Sequence, residues 1–180
     1  MTPTLAPPPA LPDWNAAALA AIAAYCGWNP APSRRETLNI SPVHKSRDLW
    51  LPTRRVREIH SVSIVDAEGR ERRLSEHEYQ WEESGLLRCA RHRHWPMRLR
   101  GVAVDLTHGF EWEEVPDISA LVHNITRRAS AGVYGIASQS VSGASVTYQT
   151  AGGAPLSVPL LQIEKQMLCR YTLASGTIPG

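Results

Sequence analysis

Residues 51–109 read LPTRRVREIHSVSIVDAEGRERRLSEHEYQWEESGLLRCARHRHWPMRLRGVAVDLTHG, and this stretch decides the fold. Short runs with two-residue alternation are separated by turn-forming clusters. Val62 and Ile64 fall on one face against Ser61 and Ser63, and Asp66 to Gly69 supplies a turn. Tyr79 and Trp81 alternate with polar neighbours before a second turn over Glu82 to Gly85. After Trp95-Pro96, the residues Val102, Val104 and Leu106 share a face against Gly101, Ala103 and Asp105. Successive side chains of a strand point to opposite faces, so the pattern predicts an antiparallel meander with one buried face.

Helical patterns lie on both sides of it. Asp13 offers an N-cap, WNAAALAAIAAYC follows with high helix propensity, and Gly27 with Pro30 and Pro32 ends the run. Trp14, Ala18, Ala21 and Tyr25 fall at helical spacing and predict a core-facing stripe. Between this helix and the meander, Ser33 to Trp50 alternates around Thr37, Leu38 and Ile40, which predicts an edge strand or ribbon. Arg34, Arg35 and Arg47 suit its solvated face. Beyond the meander, FEWEEVPD is acidic and Pro116-Asp117 opens a helix through about Ala131. Ile118, Leu121, Val122, Ile125 and Ala129 form its apolar stripe, Arg127 and Arg128 suit its last turn, and Gly132 is the expected stop. A Ser-, Gly- and Thr-rich segment with weak strand character at Val141, Val146 and Tyr148 reads as a loop or edge ribbon. A last helix is expected from about Pro159 to Tyr171, capped near Ser157 or Val158. Leu160, Ile163, Met167 and Tyr171 form one stripe, Leu161 and Leu168 widen it, and Glu164 interrupts it.

These elements predict an α+β fold, a helical scaffold of N-terminal, central and C-terminal helices with an antiparallel β insertion at about 37–109. A single domain over 13–171 would carry a flexible Pro-rich arm at 1–12 and a flexible tail at 172–180. With 180 residues and 43% hydrophobic content, the chain can bury a real core. A net charge of +2 does not by itself imply nucleic-acid or membrane binding. Lys45 and Lys165 are the only lysines, so the basic balance is carried by Arg. Cys26, Cys89 and Cys169 are odd in number and form no CxxC pair, which suits a reducing compartment rather than a disulfide framework. No run reaches the roughly 20 apolar residues that span a bilayer, and the first residues lack the charge and hydrophobic centre of a signal peptide.

The densest chemical cluster is RCARHRHWPMRLR, from Arg88 to Arg100, whose arginines and histidines have the composition of a nucleic-acid patch. On a strand, however, Arg91 and Arg93 project to one side and His92 and His94 to the other, and only Trp95 offers stacking. His92 and His94 point to a metal only with a third ligand such as Cys89, His77 or Glu78, among arginines that repel a cation. No GxSxG, paired Cys and His, or phosphate-cradling glycine loop is present. Ser138, Ser140 and Ser142 sit in the Ser/Gly segment, Glu82-Glu83 and Glu113-Glu114 in turn-like places, and Thr107-His108-Gly109 reads as a strand end and turn. No enzyme and no cofactor is expected.

The order of these pieces resembles a family. LPTRRVREIHSVSIVD, YQWEESGLLR, WP, VAVDLTHGF, PDISALVHNITRRA and SQSVSGASVTY, with a C-terminal helix, are similar to the head-to-tail adaptor (connector) proteins of long-tailed double-stranded DNA bacteriophages. The similarity covers roughly Leu49 to Tyr171. It implies a structural virion protein at the neck, present in the host cytoplasm during assembly. Such a protein forms a homo-oligomeric ring of about twelve copies between the portal and a stopper or other neck protein, through which DNA passes without sequence recognition. Two surfaces become candidates on that basis. Arg88, Arg91, Arg93, Arg98 and Arg100 face the acidic Glu111, Glu113, Glu114 and Asp117 of a neighbouring subunit, and Leu160, Ile163, Met167, Leu168 and Tyr171 dock on the portal. The alternatives are a nucleic-acid-binding module using residues 88–100, or the stopper itself.

Overall fold

A computed structural model describes residues 13–66, 68–90, 94–133, 140–141, 144–145, 150–151, 154–155 and 158–173. The arm, the tail from residue 174, Ser157, Arg91, His92, Arg93, Val146 and Tyr148 lie outside these. The mixed α+β class predicted from the sequence is the one observed.

Helix α1 runs over Trp14–Cys26. The Asp13 carboxylate accepts hydrogen bonds from the N–H groups of Asn15 and Ala16, both at 3.0 Å. Gly27, at φ 78°, closes the helix by donating to the Ala23 carbonyl at 2.9 Å. The buried stripe is Ala18, Ile22 and Cys26, one position round from the expected Ala21 and Tyr25, with Trp14 and Tyr25 at its margins. Helix α2, Pro116–Val133, packs on α1 through all five residues of its predicted stripe. It runs past Gly132, and Arg128 turns to Glu164 rather than to the helix end.

Helix α3 covers only Gln162–Leu168, continued by a 3-10 turn over Cys169–Tyr171. It starts later than expected because Glu164 reaches back to accept from the Leu161 N–H at 2.7 Å, which fixes Leu161 as the cap. Glu164 is nearly fully buried. Arg128 grips its carboxylate with two guanidinium nitrogens and donates to the Pro159 carbonyl at 3.0 Å. The residue that interrupts the apolar stripe is thus the clamp that ties α3 to α2.

The β insertion begins at Arg34 rather than Thr37, and its strands divide between two antiparallel sheets. Strands β1 (Arg34–Ile40), β2 (Asp48–Trp50), β3 (Val56–Val65), β4 (Glu71–Arg73), β5 (Tyr79–Trp81), β6 (Leu86–Cys89) and β7 (Val102–His108) follow in chain order. One sheet has the order β1-β7-β3-β4 and the other β2-β6-β5. Both predicted turns form: Gly69 donates to Asp66 at 3.2 Å and Gly85 to Glu82 at 3.0 Å. Val102, Val104 and Leu106 share a buried face with Val56, Val62, Leu49, Leu87 and Trp95, making a second core separate from the helical one. Two short ladders, Ser140–Val141 with Ala144–Ser145 and Thr150–Ala151 with Ala154–Pro155, lie between α2 and α3.

Register orients the larger sheet. His108 lies opposite both Arg34 and Val56, beside the helices, whereas Val102 lies opposite Ile40 and Ile64 at the other end. The seven residues of β7 therefore carry the distal loops, residues 41–47 and 94–101, about 20 Å from the helical layer. These loops are tied together: the Trp95 N–H donates to Ser46 O at 3.0 Å and the Arg100 N–H to Ser41 Oγ at 2.8 Å.

Candidate functional site

The densest polar construction lies where the helical and β cores meet. His108 is 1% exposed. Its Nε2 lies 2.7 Å from Glu36 and its Nδ1 3.1 Å from the Thr53 hydroxyl. The neutral Nε2–H tautomer satisfies both, donating to Glu36 and accepting from Thr53. Burial is the largest influence and lowers the imidazole below its ordinary value against the opposing pull of Glu36. Trp28 from the helical core stacks on the ring at 6.2 Å. The Thr–His–Glu order is that of a nucleophile relay, but Thr53 and His108 are both sealed from solvent, so no substrate reaches the hydroxyl. The arrangement is a joint.

Charged groups surround the joint. Arg57 holds Glu114 at 2.6 Å and Glu111 at 3.6 Å, and Arg55 binds Glu114 at 3.0 Å and also Glu83. Arg54 donates to the carbonyls of Arg170 and Thr172, both at 3.0 Å. Asp117 takes Arg170 at 2.5 Å and the Tyr171 hydroxyl at 3.0 Å. Burial raises the Asp117 carboxyl, but these hydrogen bonds and the Arg170 charge outweigh it and hold the group below its ordinary range. Sequence reading missed this network because its partners lie 28 to 118 residues apart.

The sequence-predicted interface residues are distributed unevenly. Arg88 is matched within the chain by Asp48 across β2 and β6, at 2.7 Å. Glu111, Glu114 and Asp117 belong to the joint, leaving Glu113 as the exposed acid of that segment without an ion pair among the described residues. Arg98 and Arg100 lie on the distal loops, far from the acidic segment of their own chain, and Arg91 and Arg93 fall outside the described residues. Among the described residues no group of three or more His, Cys, Asp or Glu is placed to hold a metal, and no helix is long and apolar enough to cross a membrane. Cys26 and Cys169 are free thiols, and burial pushes Cys26 up to about 11.

The candidate docking stripe splits. Leu168 is buried, while Leu160 and Tyr171 pack against the helical core. Ile163, 65% exposed, and Met167, 44% exposed, point away from it as an i, i+4 pair.

One further surface was not legible in sequence. Between the end of β1 and β2 lies a groove of about 800 Å³ walled by Ile40, Pro42, Val43, Leu49, Trp50 and Pro52, with His44 and Lys45 at its rim. Val43 is 62% and Trp50 55% exposed. On the opposite edge of the same small sheet, Trp81 is also exposed although it occupies the row of buried Leu49 and Leu87, because among the described residues no strand lies beyond β5.

The chain shares its fold with proteins of particle necks. The structure described as the neck of native GTA particle, computed with C12 symmetry, superposes with a TM-score of 0.60 at 19% identity over 91% of this chain and 84% of the other. The neck of empty GTA particle, computed with C6 symmetry, gives 0.58 at 18% identity over 91% and 79%. No family model and no curated protein matches the chain.

Proposed function

We propose that the protein is a structural, non-enzymatic component of the neck of a phage-like particle, acting as a head-to-tail adaptor. In this reading a homo-oligomeric ring sits between the portal and the next neck protein and extends the DNA channel. The observation that carries it is the fold similarity over nine-tenths of the chain to neck structures computed with sixfold and twelvefold symmetry. The polar groups support it: the buried relay and the ion pairs around it join two cores and leave no open catalytic constellation among the described residues.

The exposed Ile163–Met167 pair on α3 is the portal-docking surface. Arg98 and Arg100, with Arg91 and Arg93, meet carboxylates of other chains, Glu113 among them. Purified protein imaged by negative stain and weighed by native mass spectrometry, alone and with portal, tests the reading. A closed ring that binds portal is expected; a monomer that ignores portal overturns it. If residues 88–100 served nucleic acid instead, the isolated protein would shift short duplex DNA in a strongly salt-dependent manner.

A further inference from the structure

The small sheet β2-β6-β5 has two unlike edges, and their chemistry is complementary. Its β2 edge carries the apolar groove beside Val43 and Trp50, rimmed by His44 and Lys45. Residues 41–47 include no acid, and Asp48 is already held by Arg88. Its β5 edge carries Trp81, 37% exposed, beside Glu82, which makes no ion pair among the described residues, while the nearby Arg88 is held by Asp48. One edge is a basic-rimmed apolar recess, the other an acidic-flanked aromatic knob.

We infer that Trp81 of one copy inserts into the Val43–Trp50 groove of the next copy, with Lys45 at the groove's rim meeting Glu82. The groove does not take its own chain's Trp81, because β6 stands between the two edges and they face in opposite directions. A buried aromatic anchor in a pocket with a charged rim is the arrangement in which a few residues dominate an interface. The contact is heterologous, one patch against a different patch, so repetition by rotation generates a ring instead of a dimer. Strands β2 and β5 both run antiparallel to β6 and therefore parallel to each other, so successive small sheets would meet around the ring with strand directions aligned. This interface rests on the proposed ring and specifies which surfaces close it. It differs from the pairing of the 88–100 segment with residues 111–117.

The test uses the full chain. In a Cys169→Ser background, Lys45→Cys with Glu82→Cys, which leaves Trp81 in place, should, on mild oxidation, give a ladder of covalent multimers ending at the ring size seen by native mass spectrometry. An isologous contact would stop at dimers and overturn the inference. Trp81→Ala should turn the ring into monomers with an unchanged circular dichroism spectrum. Lys45→Glu and Glu82→Lys should each weaken the ring, and the double swap should restore it, a rescue that a merely misfolded variant would not show. If the unsubstituted chain forms rings but Trp81→Ala also does and no ladder appears, this interface is wrong and the ring reading stands. If the unsubstituted chain forms no ring, either alone or with portal, the ring reading fails and this interface with it.

Discussion

At His108 a single residue couples pH to the integrity of the molecule. Burial depresses its pKa, so the folded state holds the proton less tightly than the unfolded chain does. Its stabilising contribution is complete above the ordinary His pKa and is lost as pH falls through that value toward the lowered one. Thermal stability is therefore expected to drop between pH 7.5 and 5, and His108→Gln should flatten that slope, measured by melting scans at fixed ionic strength. Asp105, Asp117 and Glu114, also depressed by their arginine or backbone partners, act in the same direction at lower pH. Glu164 gives a second residue-scale expectation. Arg128→Met strands its buried carboxylate and should cost about 3 kcal/mol in chemical denaturation, whereas breaking the exposed Arg70–Asp66 pair should leave the denaturation midpoint almost unchanged.

Element by element, the sequence revealed what depends on local pattern. The Asp13 cap, the Gly27 stop, the α2 stripe and the strands around Val62, Tyr79 and Val104 were all legible, because capping and periodicity act within a few residues. The start of α3 was not, since Glu164 capping Leu161 competes with a continuous apolar stripe. Nor was the division of the strands into two sheets, because β7 inserts between β1 and β3 from nearly forty residues away. The candidate surfaces were legible in residue type and not in placement: Arg88 and Asp117 look available in sequence, yet each has an in-chain partner. Gly85 carries an element-scale prediction. Its φ is 95°, and an added Cβ would lie 2.6 Å from the Thr53 carbonyl oxygen. Gly85→Ala should destabilise the β core by roughly 2 kcal/mol, read as a lower denaturant midpoint. For α3, Ile163→Asp with Met167→Asp should abolish portal binding while leaving the melting temperature within a few degrees, because both side chains already face solvent; truncation after Ala154 should do the same at greater cost to the fold.

On the scale of the whole molecule, the surfaces proposed for other chains are spread over both bodies. In the proposed reading the helical layer contributes Ile163 and Met167, and the distal loops contribute Arg98 and Arg100. Arg91→Glu with Arg93→Glu should impair ring formation if that basic segment meets carboxylates of a neighbour; assembly measured by native mass spectrometry and left unchanged would remove that role. The joint has a mechanical consequence. Each core is interlocked by apolar packing, but between them run ion pairs, backbone hydrogen bonds and a few stacked rings around His108 and Phe110. Under load the chain is expected to act as a two-bar linkage, stiff along each bar and more compliant at the pin. Because ion pairs are part of that pin, its stiffness should fall as salt rises while the bars keep their shape.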